Sequence, residues 1–162
     1  MQQCGLYDPR FEHDACGVGF IANIKGEKSH KLVEQSLEIL NRLAHRGATG
    51  ADPKTGDGAG ILIQLPDKFF RKECERLGIN LPEEGKYGTG IVFLPKIEKE
   101  RETIKEWFVE LIKEENLDFL GYRKVPVDNT DIGKTAKESE PVMEQIFVGY
   151  SKDLKDSLEL ER

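Results

Sequence analysis

The chain has 162 residues, of which 38% are hydrophobic and 33% charged, and its formal net charge is −6 at pH 7. This length suits one globular domain with one core, and the acidic balance without a basic stripe argues against a nucleic-acid partner. Three cysteines and the lack of an apolar run of about 18 residues argue against a disulfide framework and a membrane partner. We therefore expect a cytoplasmic protein.

The N-terminal segment is polar up to Cys16, which stands at the head of a predicted strand over residues 17–24. A cysteine thiol has a pKa of about 8.5 and needs a base at neutral pH. An α-amino group, with a pKa of about 7.7 to 8.0, is a better base there than a lysine. Cleavage between Ala15 and Cys16 would therefore make Cys16 both nucleophile and base, as in enzymes with an N-terminal threonine.

Other interpretations of Cys16 stay open on the residues alone. Free cysteines are among the commonest buried residues, so Cys16 can be a small core residue, as the helical pattern around Cys74 predicts for that cysteine. A metal site built from Cys4, His13 and Cys16 lacks the paired spacing of zinc sites. A thiol redox protein ranks last, because the chain has no C-x-x-C motif.

Strand and helix patterns then alternate, with short connections and no internal repeat. Helices are predicted from a Ser29 cap to Gly47, from Pro66 and Asp67 to about Leu77, and from about Glu98 to Glu115. Strands are predicted over residues 61–65, 88–94, 119–125 and 142–148, a loop over 48–60, and a loop or one helical turn over 128–140. Residues 151–162 are polar and end in mid-pattern, so we expect the domain to continue past Arg162.

Three later segments carry residues capable of chemistry, and each also has an ordinary structural interpretation. His45-Arg46-Gly47 would end a helix, and the proline-ended segment 121–128 would be a strand and its turn. Thr55-Gly56-Asp57-Gly58-Ala59-Gly60 would bring bare backbone close to a ligand, but it lacks the Lys-Ser/Thr pair of a phosphate loop. Taken singly, none of them indicates a function.

In their order and spacing these segments resemble the start of the large subunit of the glutamate synthase family, over nearly the whole chain. His-Arg-Gly is shared by class II glutamine amidotransferases in general, whereas the later motifs are particular to glutamate synthases. The matching segments are Cys-Gly-Val-Gly-Phe-Ile-Ala at 16–22, His-Arg-Gly-Ala at 45–48, Lys-Thr-Gly-Asp-Gly-Ala-Gly at 54–60, Asp67 to Arg71, Gly121 to Pro126, Asp128, Gly133 and Glu140 to Gln145.

The resemblance implies an α+β glutaminase domain with the N-terminal nucleophile hydrolase fold, a four-layer αββα sandwich with antiparallel sheets, incomplete at the C-terminus of this chain. It overrules the doubly wound parallel sheet that alternating strands and helices would suggest by themselves. Residues 1–15 would be a propeptide, and residues 16–162 the N-terminal part of the class II glutamine amidotransferase domain. The Cys16 thiolate would attack the side-chain amide of L-glutamine and form a glutamyl thioester.

The resemblance gives the other matched residues supporting roles. Arg46 and Gly47 would support the nucleophile, while Asp57 and Gly58 would lie in a loop beside the substrate pocket. The family's oxyanion donor is an asparagine in an Asn-Gly pair, which occurs nowhere in the chain. Losing such a donor costs about 2.7 to 4 kcal/mol of barrier, so we expect feeble glutaminase activity or none from these residues alone.

The resemblance also implies partners and cofactors. Ammonia would pass to a synthase domain holding FMN and an iron–sulfur cluster, where it aminates 2-oxoglutarate with electrons from a pyridine nucleotide or ferredoxin. The expected partners are L-glutamine, this synthase domain and a small electron-donating subunit; no cofactor or metal is expected in this segment. The alternative is a non-catalytic truncated domain that acts only in folding or assembly and keeps residues 1–15.

Overall fold

In a computed structural model the chain is described at residues 17–46, 52, 54–56 and 58–150. It divides into two compact units. The first comprises the chain up to Gln64 together with Asp131–Glu138, and the second comprises Leu65–Thr130 and the chain from Ser139 onward.

The helices and strands lie close to the positions that the sequence predicts. The helices are α1 (His30–Arg42), α2 (Asp67–Arg76), α3 (Glu98–Glu114) and α4 (Lys134–Ser139), and a 3-10 turn covers Ala44–Arg46. The strands are β1 (Tyr87–Leu94), β2 (Leu117–Lys124) and β3 (Val142–Tyr150). The predicted strands over 88–94, 119–125 and 142–148 are thus confirmed, as are the helices that begin after Ser29, at Asp67 and at Glu98. The first helix ends at Arg42 rather than at Gly47.

The three strands form one antiparallel sheet in the second unit, in the order β1-β3-β2. β1 pairs with β3 from Tyr87 opposite Gly149 to Leu94 opposite Val142. β2 pairs with the other edge of β3, with an irregularity between Phe119 and Gly121. β3 follows β1 and β2 in sequence but lies between them in the sheet, which suits a strand with one charged residue and no exposed residue.

A hydrophobic core lies between α2 and one face of this sheet. Phe70 and Cys74 stand one helical turn apart on α2 and are buried with Tyr87 of β1 and Phe147 of β3. The rings of Phe70 and Phe147 meet edge to face, with centroids 5.4 Å apart and planes at 79°. The α2 helix is thereby fixed on the sheet.

The α3 helix packs on β2 from the opposite face. Tyr122 of β2 donates to the Lys105 carbonyl at 3.3 Å, and Lys105 Nζ lies 3.1 Å from Glu144 of β3. The next residue of β3, Gln145, instead accepts from Arg123, which pairs with Glu73 of α2. Since successive strand residues point to opposite faces, the second unit has three layers: helix, antiparallel sheet and helix. The chain is therefore α+β.

Two predicted strands, over residues 17–24 and 61–65, are wrong for the described structure. Residues 17–23 and 58–66 form no strand, and Asn23–Gly26 is a turn with a hydrogen bond from Gly26 N to Asn23 O. Most of their apolar side chains are open to solvent, with Phe20 93% exposed and Leu62 fully exposed, whereas Leu65 packs against the core of the second unit. An alternating apolar pattern gives a strand only where a neighbouring strand receives its backbone groups. Neither segment has such a neighbour among the described residues.

Candidate functional site

The predicted site residues fall in the first unit. Cys16, Gly47 and Asp57 lie outside the described residues, so their arrangement stays a prediction. Arg46 ends the 3-10 turn and is described by its backbone alone, and Gly58 lies in an exposed stretch without helix or strand. The structure therefore bears on the segments that flank these residues.

The segment that follows Cys16 runs against α1. A Cβ built on Gly19 would lie 2.5 Å from the Cγ2 atom of Ile39, closer than real Cβ contacts come. Only glycine allows the backbone to approach the helix this closely. Helix α1 thus fixes the course of the chain three residues after the predicted nucleophile.

The His-Arg-Gly segment begins at the C-terminal end of α1. His45 Nδ1 lies 2.9 Å from the Arg42 carbonyl, and because a carbonyl can only accept, Nδ1 is the donor of this hydrogen bond. Arg42 is itself paired with Glu38 one turn earlier. His45 therefore satisfies one of the free carbonyls at the helix end, and the capping interpretation of this segment is confirmed for His45.

A turn anchored by Asp52 begins the glycine-rich loop. The Thr55 N–H donates to the Asp52 carbonyl at 2.9 Å, and the Asp52 carboxylate accepts from Lys54 N at 3.0 Å and from Thr55 Oγ1 at 3.1 Å. The Lys54 N–H bond is the main cause that lowers the pKa of Asp52; burial opposes it, while the Thr55 hydroxyl and the backbone N–H groups of Thr135 and Lys134 lower it further. The ionised carboxylate is the form that this site holds.

The Asp52 turn contacts a second, distant segment of the first unit. Gly133 N donates to the Lys54 carbonyl at 3.1 Å, and a Cβ on Gly133 would overlap both Asp52 Oδ2 and Thr55 Oγ1. Sequence reasoning matched Gly133 and Thr55 to family motifs but missed Asp52. The available signal was the Asp52-Pro53 pair, since an aspartate before a proline favours the start of a turn.

The matched motifs of the second unit make its framework. Asp67 accepts from Arg71 Nε at 2.8 Å and from the Tyr87 hydroxyl at 2.9 Å, and Arg71 also donates to the carbonyls of Leu81 and Pro82. Burial and the Asp67 bond raise the pKa of Tyr87, and the same carboxylate raises that of Arg71. These residues hold the start of α2 to the segment that leads into β1.

The thiol of Cys74 is inert by its surroundings. It is fully buried in the core of the second unit, and this burial raises the pKa of the thiol. The core interpretation of Cys74 is confirmed.

The part of the chain that the structure describes contains neither a metal-binding cluster nor a membrane-spanning helix. No group of three histidine, cysteine or acidic side chains there could hold a metal ion; Cys4, His13 and Cys16 lie outside it. In the same residues no helix combines the length and the apolar character needed to cross a bilayer.

The described residues of the segment after Cys16, of the His-Arg-Gly motif and of the glycine-rich loop belong to one compact unit, and these three motifs together point to one class of protein. The family model of the class-II glutamine amidotransferases matches residues 16–162. The chain belongs to the class-II glutamine amidotransferases.

Within that family the chain is similar to glutamate synthases. It is 52% identical over 158 residues to the glutamate synthase [NADPH] large chain of Bacillus subtilis, a match that covers 98% of this chain and 10% of that protein. It is 47% identical over 146 residues to the glutamate synthase [NADH] of Saccharomyces cerevisiae, covering 87% of this chain and 7% of the relative. The ferredoxin-dependent glutamate synthase 2 of Synechocystis is 41% identical over 137 residues, or 85% of this chain and 9% of the relative. The chain spans a tenth or less of the length of these relatives.

Proposed function

We propose that the chain is the glutaminase part of a glutamate synthase and that it hydrolyses L-glutamine to glutamate and ammonia at Cys16. The observation that carries this proposal is the start of the family match at Cys16. That residue is also the one whose chemistry suits an N-terminal nucleophile. The antiparallel α+β arrangement of the described residues supports the further proposal that the complete domain is a four-layer sandwich.

The chemistry at Cys16 requires removal of residues 1–15. The free α-amine takes the thiol proton, and the thiolate attacks the side-chain amide carbon of glutamine. The C–N bond then breaks, ammonia leaves with the proton returned by the amine, and a glutamyl thioester remains. Water, deprotonated by the same amine, cleaves the thioester to glutamate and restores the thiol.

The His-Arg-Gly motif and the glycine-rich loop would support the reaction at Cys16. Arg46 and Gly47 would hold the corner next to the nucleophile, and the His45 bond to the end of α1 supports a fixed position for that corner. Asp57 and Gly58 would line the substrate side of the loop that starts at the Asp52 turn. Oxyanion stabilisation needs a donor that this sequence lacks as an Asn-Gly pair, so we expect weak turnover from the 162 residues alone.

The iron–sulfur cluster of such an enzyme does not fit the cysteines of this chain. An iron–sulfur cluster takes cysteine thiolates, commonly four, and the chain has three cysteines, of which Cys74 is sealed in the core. We therefore propose that the cluster binds a separate synthase domain, to which the released ammonia passes; the resemblance to glutamate synthases implies FMN in that domain as well. No step at Cys16 involves them.

The test uses the gene product that contains this chain. Intact-mass measurement should show a polypeptide beginning at Cys16, and a glutamine-mimicking diazo ketone should alkylate Cys16 and abolish ammonia release from glutamine. Cys74 serves as the internal control, because its buried thiol should stay unlabelled in the native protein. Cys16→Ala should abolish ammonia release.

Three results would contradict parts of this proposal. Retention of residues 1–15 in material that releases no ammonia would favour a non-catalytic assembly domain. Brisk ammonia release that survives Cys16→Ala would refute the nucleophile assignment. Brisk, Cys16-dependent turnover by the 162-residue chain alone would refute the expectation that its site is incomplete.

A further inference from the structure

Gly133 is the one residue of the first unit that is buried, among those of the unit that the structure describes. It is buried at the Asp52 turn, where its N–H meets the Lys54 carbonyl and its missing side chain leaves room for Asp52 and Thr55. Among these described residues, burial is thus most complete where two segments far apart in sequence meet.

The contacts of Asp52 extend beyond its own local turn. A local aspartate turn is complete once the carboxylate accepts from Lys54 N and Thr55 Oγ1. Here the same carboxylate also faces the backbone N–H groups of Lys134 and Thr135 in the first turn of α4. The first N–H groups of a helix have no acceptor within the helix, and Asp52 supplies one from another part of the chain.

We propose that Asp52 is a positioning residue that holds the start of the glycine-rich loop, at Lys54 and Thr55, against Gly133 and the start of α4. This inference rests on the proposed function, which puts Asp57 and Gly58 of that loop beside glutamine. Asp57 stands two residues after Thr55, so the anchor sets where the substrate side of the loop begins. A displacement of about 1 Å at such a position can cost a hundredfold in rate.

Variants at both partners should show this role. Asp52→Ala removes the acceptor, and we expect kcat/KM for glutamine hydrolysis to fall about tenfold to a hundredfold. Asp52→Asn keeps an oxygen that accepts from backbone N–H groups and should recover most of that loss. Gly133→Ala should act like Asp52→Ala through steric overlap, and the double variant should be no worse than Gly133→Ala, because both changes break one contact.

The experiment measures hydrogen exchange and glutaminase kinetics on the same preparations of the gene product that contains this chain. Asp52→Ala should speed amide exchange in residues 52–58 and 131–137 together. Asp128→Ala is the matched control: Asp128 accepts from the N–H and the hydroxyl of Thr130, which is a local turn of the same chemistry. It should leave exchange in 52–58 and kcat/KM unchanged.

The outcomes separate the two proposals. Faster exchange confined to 52–58 in Asp52→Ala would reduce the contact to a local turn and overturn the inference. Faster exchange in both segments with an unchanged kcat/KM, in an enzyme that Cys16→Ala inactivates, would overturn the positioning role alone. Turnover that depends on neither Cys16 nor Asp52 would overturn the proposed function and this inference with it.

Discussion

Replacing Tyr87 by phenylalanine should lower the free energy of unfolding by about 2 kcal/mol. The Tyr87 side chain belongs to a residue only 5% exposed, and its hydroxyl donates to Asp67 Oδ1 at 2.9 Å. Hydrogen bonds to charged groups contribute about 1.5–3 kcal/mol. Because Asp67 keeps its 2.8 Å ion pair with Arg71, the variant leaves no bare carboxylate, and the cost should fall in the lower half of that range.

The assay is urea unfolding of the chain followed by far-UV circular dichroism, with Tyr122→Phe as the matched control. The Tyr122 hydroxyl donates at 3.3 Å to a neutral carbonyl, that of Lys105, so its loss should cost about 0.5–1 kcal/mol. Asp67→Ala and the double variant with Tyr87→Phe complete a thermodynamic cycle, whose coupling should be about 1 kcal/mol. Equal losses for the two tyrosine variants, or a coupling near zero, would refute the assigned Asp67 bond.

Two further predictions concern the second unit. Phe147→Leu should lower the free energy of unfolding by about 1–2 kcal/mol, because it removes an edge-to-face pair with Phe70 worth about 0.5–1.5 kcal/mol and repacks a fully buried site. The control Phe93→Leu, at a residue 68% exposed, should change it by no more than about 0.5 kcal/mol. Similar urea midpoints for the two variants would contradict the assignment of Phe147 to the core. Burial raises the pKa of Tyr122 to about 12, against about 10 in an unfolded chain. The neutral hydroxyl therefore contributes its full stabilisation below pH 10, and this contribution is lost as the pH rises towards 12. In thermal melts over a pH series, Tyr122→Phe should reduce the loss of stability between pH 10 and 12, and an unchanged loss would contradict the raised pKa.

Local sequence patterns predict the helices and strands whose apolar spacing lies within their own residues. α2 and α3 have apolar residues at helical spacing, and β1, β2 and β3 are apolar runs between turn residues, so short-range chemistry was enough to find them. The segments 17–24 and 61–65 have the same strand pattern, yet they form no strand. The pattern indicates only that a segment can adopt an extended conformation, whereas a strand also requires a neighbouring segment that pairs with its backbone.

The candidate site likewise has contacts that the sequence predicts and contacts that only the structure shows. The His45 bond at the end of α1 is a local contact that the sequence predicts as helix capping. The contact of Asp52 with Gly133 joins segments that no short-range pattern connects, and only the folded chain shows it. Cys16, Gly47 and Asp57 rest on motif resemblance and on the family match, and their geometry stays a prediction.

The two units are stabilised by different means, and this bears on how the site is held. The second unit has a core in which Phe70, Cys74, Tyr87 and Phe147 are buried, and each of its helices is fixed by that core or by paired charges. The first unit carries the predicted site, but α1 has no buried residue, and Gly133 is the one buried position among its described residues. Among the described residues of this unit the apolar side chains are at most partly buried, so burial of apolar area contributes less there than in the core of the second unit. Close backbone contacts, Gly19 on Ile39 and Gly133 on Asp52, fix the chain instead, so small side-chain changes at these contacts should disturb the site more than changes on the exposed faces of α1.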